Sequence, residues 1–175
     1  MKSDYINDTD LSHVLALLMP VNRAAVECSL RYGMRIGDVL NLSREQVQKR
    51  SFTYTESKTG KKRRVTMCKS FADYLLSLSS YQSSLVFPSR LDASKPRTRQ
   101  AVYKDIRRAA VALRCKEHIS PHTARKVYAV KAYHRYGDLH KVQQLLNHDN
   151  EAVTMIYALA DELTKRRLNT KKRTR

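Results

Sequence analysis

Apolar positions recur at helical spacing through most of this chain and switch to strict alternation in one short stretch. Asp8, Thr9 and Asp10 offer N-caps to a helix over residues 11–19, with Leu15 and Leu18 on its apolar side. Pro20 punctuates that helix, and a second one covers residues 21–31 and stops near Gly33. A short third helix follows over residues 36–42. The period then changes: Phe52 and Tyr54 alternate with Ser51, Thr53 and Thr55, and Val65 and Met67 alternate with Arg64 and Thr66. Thr59-Gly60 lies between the two runs, which predicts a β-hairpin. Helices resume over residues 71–78 and 98–113, the latter with Val102, Ile106, Ala109 and Leu113 on one stripe. Ser120-Pro121 opens a helix that runs to Tyr136, where Gly137-Asp138 stops it and caps the next. Val142, Leu145 and Leu146 form the core face of that next helix, and Asn150 opens a short last one through Tyr157. The expected class is mostly α (α+β), a helical domain with one small antiparallel sheet.

Composition sharpens this picture. With 175 residues, 42% of them hydrophobic, the chain can enclose a core. No internal repeat and no Gly/Pro/Ser linker divides it, so residues 1–164 read as one domain. Residues 165–175, seven of which are Lys or Arg, read as a basic tail. The net charge is +18, from 34 Lys and Arg against 16 Asp and Glu, and it calls for a polyanionic partner. Double-stranded DNA fits best, because cations that neutralise phosphates release condensed counterions. A membrane surface is the rival, but no long apolar run supports it. The N-terminus MKSDYINDTD lacks the apolar core of a signal peptide, which points to a cytoplasmic, nucleoid-associated protein. Cys28, Cys68 and Cys115 are scattered and unpaired in sequence, as reduced thiols are, and form neither a disulfide framework nor a zinc site.

Attack on a DNA phosphodiester without a metal sets a definite requirement. Charge grows on the non-bridging oxygens, so forked, permanently charged donors must receive it. A nucleophile must lie in line with the leaving oxygen, and an acid must protonate that oxygen. Arg35 lies at a helix start with Asp38 three residues on, close enough to orient it. Lys58 sits by the hairpin turn, followed by Lys61, Lys62, Arg63 and Arg64 as candidate DNA-backbone contacts. His122 and Arg125 share the electropositive first turn of a helix. His148 follows Leu145-Leu146-Asn147, and Tyr157 comes nine residues later. Each residue also has a plain reading. Arg35 fits a surface ion pair, Lys58 a solvated hairpin tip, His122 a polar first-turn residue, His148 a helix-end histidine, and Tyr157, one of ten tyrosines, a core residue with its hydroxyl at the surface.

Taken in order, an arginine, a hairpin lysine, H-x-x-R, L-x-H and a tyrosine resemble the tyrosine recombinase (phage integrase) family. The likeness runs from about residue 21 to 160. It implies the helical catalytic domain of that family with its lysine-bearing hairpin. It also implies roles. Arg35 and Arg125 clamp the scissile phosphate, His122 assists proton transfer, and His148 donates a hydrogen bond to the phosphate. Lys58 protonates the departing 5′ oxygen, and Tyr157 attacks to leave a 3′-phosphotyrosine. Asp38 matches the acidic position that supports the pocket, and no metal, ATP or other cofactor is needed.

Only 34 residues precede Arg35, where many members of the family carry a core-binding domain, so a catalytic-domain-only protein or a fragment is expected. The function implied is site-specific recombination by a homo-oligomer on DNA, as a tetrameric synapse, with accessory DNA-bending proteins as further partners. A nicking-closing topoisomerase and a DNA-binding regulator with a vestigial pocket are the alternatives. If Lys58 is the acid, Lys58→Ala should lose cleavage of ordinary DNA and regain it on a substrate with a 5′-thio leaving group, which needs little protonation. Failure of that rescue, with cleavage otherwise measurable, would reduce Lys58 to a binding role.

Overall fold

The computed structural model describes residues 4–79 and 81–146. His148, the expected helix from Asn150 to Tyr157, and the basic tail lie outside the described residues.

Helix α1 spans Asp8–Ala16, and its cap is Asn7, whose side chain accepts from the Asp10 N–H at 2.8 Å. Asp8 and Asp10 therefore sit in the first turn, where their charge suits the helix dipole, and are not the caps themselves. The helix ends earlier than its apolar pattern suggests. Met19 precedes a proline and is held extended (φ −55°, ψ 138°), as the proline ring requires. Pro20 then opens α2 (Pro20–Tyr32) as its first residue, where its missing N–H is no loss. The short helices α3 (Ile36–Leu40) and α4 (Arg44–Lys49) follow. The periodicity did not predict α4, whose six residues are nevertheless fixed by a reciprocal Ser43–Gln46 capping box.

Strands β1 (Ser51–Thr55) and β2 (Lys62–Thr66) pair antiparallel, with Phe52 opposite Val65 and Tyr54 opposite Arg63. Phe52, Val65 and Met67 turn one face of this hairpin into the core. Four helices complete the described chain: α5 (Lys69–Leu78), α6 (Arg99–Ala112), α7 (Pro121–Tyr136) and α8 (Leu139–Leu146). On α6 the stripe Val102, Ile106 and Ala109 is buried as expected. Leu113 is not: it caps the helix end and is 39% exposed. Asp105 ties α6 to the α1–α2 corner, accepting from the Met19 N–H at 2.9 Å and from Asn22 at 2.8 Å. Burial alone would raise its carboxyl, but these bonds and Arg108 outweigh burial and hold it below the usual range.

The centre of the fold is α2, whose Ala24, Ala25, Val26 and Cys28 are buried and which lies against α7. Gly33 ends α2 with φ +62°, and its Cα meets the Tyr128 ring of α7. A Cβ at this position would fall 2.4 Å from a ring carbon. Both the left-handed backbone and the close approach demand glycine. Gly33→Ala should therefore lower stability by about 2–4 kcal/mol, from backbone strain plus overpacking. Chemical denaturation will measure it, and a change within about 0.5 kcal/mol, the usual scatter of neutral surface substitutions, would mean that Tyr128 moves aside at no cost.

Candidate active site

A cleft of about 690 Å³ opens between the start of α3, the hairpin turn, and the N-terminal ends of α6 and α7. Arg35, Lys58, His122 and Arg125 all line it. Four basic groups from three separate stretches of chain thus meet around one space large enough for a phosphodiester. His148 and Tyr157 lie outside the described residues. The cleft also holds Arg99, Gln100 and Tyr103 on the first turns of α6, which the motif spacing did not single out. The Tyr103 hydroxyl lies 3.3 Å from Nε2 of His118.

Arg35 is the N-cap residue of α3, placed just after the left-handed turn at Gly33. Its acidic partner is Glu56, which the sequence reading missed: Arg35 Nη1 donates to Glu56 Oε2 at 2.5 Å. Asp38 has a different place from the one expected. It accepts from the Ser57 N–H at 3.0 Å, and so pins the backbone next to Lys58. Glu56 is fully buried, and the same Oε2 accepts from the Thr59 hydroxyl at 3.0 Å. Its carboxylate also faces Arg63 Nη1 at 3.6 Å.

Arg63 departs from its neighbours in the basic run. Lys61, Lys62 and Arg64 are exposed, as backbone contacts to DNA need to be. Arg63 points inward, donating to the Gly33 carbonyl at 2.9 Å and to the Tyr32 carbonyl. It serves the protein's interior, because alternation along β2 places it on the face of Val65. The same alternation along β1 carries Phe52, Tyr54 and Glu56 inward, and that signal was available for Glu56. Between these charges, burial pushes the Tyr54 hydroxyl up to about 12, so it stays protonated at neutral pH.

The N-terminus of α7 is set by Ser120, whose hydroxyl accepts from the His122 N–H at 3.2 Å, while Thr123 accepts from the Ser120 N–H at 3.2 Å. This start leaves His122 half-buried at the cleft and turns Arg125 inward, only 1% exposed. Arg125 Nη1 donates to the Gly33 carbonyl at 2.6 Å, and Nη2 to the Leu146 carbonyl at 2.8 Å. Both acceptors end helices, α2 and α8, where carbonyls carry partial negative charge. The guanidinium is thus fixed in angle as well as position, with α8 delivered just ahead of His148.

A family model described as the phage integrase family matches residues 9–163. The chain belongs to the phage integrase family. Among phage integrase relatives, the "Probable integrase/recombinase YoeC" of Bacillus subtilis is 35% identical over 136 residues, covering 76% of this chain and 74% of that protein. "Tyrosine recombinase XerD" of Vibrio vulnificus is 29% identical over 147 residues, covering 78% of this chain and 48% of the relative. In fold, the chain is similar to the XerH site-specific recombinase bound to palindromic difH substrate in a post-cleavage complex. That likeness has a TM-score of 0.65 at 22% identity and covers 86% of this chain and 48% of the other. The chain therefore spans about three quarters of the first relative and about half of the other two. The mostly helical architecture with a two-stranded antiparallel sheet among the described residues is the fold of integrase catalytic domains.

The two kinds of basic residue in the hairpin should separate in experiment. Arg63→Met takes the donor from the Tyr32 carbonyl, leaves that of Gly33 to Arg125 alone and unbalances Glu56, so it should cost about 2–4 kcal/mol of stability and leave the salt dependence of DNA binding unchanged. Arg64→Met should leave stability nearly intact and lower the slope of log affinity against log salt by about 1. Thermal melts and salt titrations decide between them. An Arg63 variant with normal melting and a shallower salt slope would place Arg63 at the DNA after all.

Proposed function

We propose that this chain is the catalytic unit of a tyrosine-type site-specific DNA recombinase, which cleaves and rejoins strands through a covalent 3′-phosphotyrosine. The observation that carries this reading is the meeting of Arg35, Lys58, His122 and Arg125 around one cleft. In this mechanism the Tyr157 hydroxyl attacks the scissile phosphorus, and the P–O5′ bond breaks as the P–O bond to tyrosine forms. Lys58 gives its proton to the 5′ oxygen, while His122 assists proton transfer and phosphate binding and His148 donates a hydrogen bond to the phosphate. Arg35 and Arg125 receive the charge on the non-bridging oxygens, and their fixed anchors mean that little reorganisation is needed as that charge grows. Reversal by a 5′ hydroxyl from a partner strand rejoins the DNA, and the phosphotyrosine conserves the bond energy, so neither ATP nor a metal enters.

The substrate is double-stranded DNA, engaged through phosphate contacts by Lys61, Lys62 and Arg64 and by the basic tail of residues 165–175, with residues 1–164 forming the catalytic domain. XerH was solved on a palindromic site, and a palindrome matches a two-fold pair of protomers. By that likeness the chain works as paired protomers on each of two sites, a tetrameric synapse, with DNA-bending proteins as helpers.

A substrate nicked near the scissile phosphate traps the covalent step. Wild-type protein should yield a protein–DNA adduct that survives denaturant, and Tyr157→Phe should yield none. Tyr103→Phe serves as the control, since Tyr103 is the tyrosine that lines the cleft among the described residues. An adduct that persists in Tyr157→Phe and disappears in Tyr103→Phe would move the nucleophile and refute the assignment.

A further inference from the structure

Three features of the described residues stand outside the roles assigned so far: the exposed Cys68 thiol, the apolar surface around Leu17, Met19 and Val111, and the buried Glu56 carboxylate. The third carries an argument through. Glu56 does not line the cleft, yet its Oε2 accepts at once from Arg35 at 2.5 Å and from Thr59 at 3.0 Å. Thr59 follows Lys58 in the turn, and that turn is closed on both sides by Glu56's own backbone. The Gly60 N–H donates to the Glu56 carbonyl at 2.9 Å, and the Glu56 N–H donates to the Lys61 carbonyl at 3.0 Å. One residue thus holds the guanidinium on the α3 side and the lysine-bearing turn on the hairpin side.

We infer that Glu56 is a positioning residue for strand cleavage, which fixes the angle of Arg35 and the place of the Lys58 turn relative to each other through a single carboxylate oxygen. The inference rests on the recombinase reading, in which Arg35 receives the phosphate charge and Lys58 protonates the leaving oxygen. A fully buried carboxylate is suited to this work. It has no freedom to swing into solvent, and its charge offsets that of the two guanidinium groups it faces, Arg35 and Arg63. Arg35 can then present its remaining donors toward the cleft from a fixed base. Asp38 adds a second brace by holding the Ser57 N–H. Positioning of this kind affects the rate of the chemical step far more than the affinity for DNA, because exposed cations dominate the affinity.

Single-turnover cleavage of a nicked substrate by the full chain tests it, with the rate constant, the amplitude and the DNA affinity each recorded. Glu56→Gln should slow the rate constant on the order of 10²-fold and change DNA affinity by less than about 3-fold. A purely structural role predicts the opposite pattern, a lower amplitude from a smaller folded fraction that cuts at the normal rate constant. Thr59→Val keeps the buried charge and removes, at half-buried Thr59, the hydrogen bond to Glu56 and the long one, 3.4 Å, that its hydroxyl accepts from the Lys61 N–H. It should fold normally and slow cleavage roughly 2–10-fold. Should Glu56→Gln fail to fold, the Thr59 variant alone decides, and an unchanged rate constant in it overturns the shared-oxygen role. Wild-type cleavage is the reference in the same assay. If wild type cuts and the variants match its rate constant, only the role of Glu56 falls. If wild type forms no adduct, the recombinase reading falls and takes this one with it.

Discussion

The carbonyl of Gly33 receives two guanidinium groups, Arg63 from the hairpin and Arg125 from α7. Like charges converge there because the site is negative in two ways. It is the C-terminal end of α2, and Glu56 lies beside it. The glycine itself is dictated by a left-handed turn pressed against Tyr128. From this one point the hairpin, α2, α7 and α8 are locked in relative position, and Arg35 leaves the turn directly into the cleft. In a chain with a net charge of +18, the internal order depends on a few buried acceptors, since most of the basic groups have no acid to meet.

That arrangement explains a division among the arginines and lysines. Those on the outward faces of the hairpin keep their charge in water, where it is screened but available to a polyanion. Arg63 and Arg125 have given up solvent for carbonyls and a carboxylate, which fixes them at a cost in desolvation that the bonds offset. Catalysis of phosphoryl transfer benefits from the second kind, because a fixed dipole or cation need not rearrange when charge develops. Binding over a long DNA surface benefits from the first.

Local signals made much of the helical fold legible. Ser120-Pro121 and Gly137 mark both ends of α7 to the residue, because a cap, a restricted φ and a left-handed stop each act within one turn. The end of α1 was less legible, since its apolar pattern continues through Leu18 while the backbone must already extend before Pro20. Helix α4 escaped because six residues carry too little periodicity, although Ser43 and Gln46 spelled out its capping box. The gathering of Arg35, Lys58, His122 and Arg125 into one cleft could be expected only from their order along the chain, since no local rule links α3 to α7. Arg99, Gln100 and Tyr103 were invisible for the same reason: nothing near them in sequence reports that α6 begins at the cleft. Glu56 and Arg63 were a different kind of miss. Charge count placed Arg63 with the surface run, whereas the period-two alternation already put both residues on the inner face of the hairpin.

The link between Arg125 and α8 is made to a backbone carbonyl, that of Leu146, and not to any side chain of that helix. The identity of the residue at this position is therefore constrained by packing alone, whereas the number of residues before it is constrained by the bond. Over evolutionary time α8 is free to exchange its side chains within the limits of its apolar face. An insertion or deletion within it would rotate the carbonyl by about 100° per residue and take it out of reach of the guanidinium. In such a segment, length should drift more slowly than sequence.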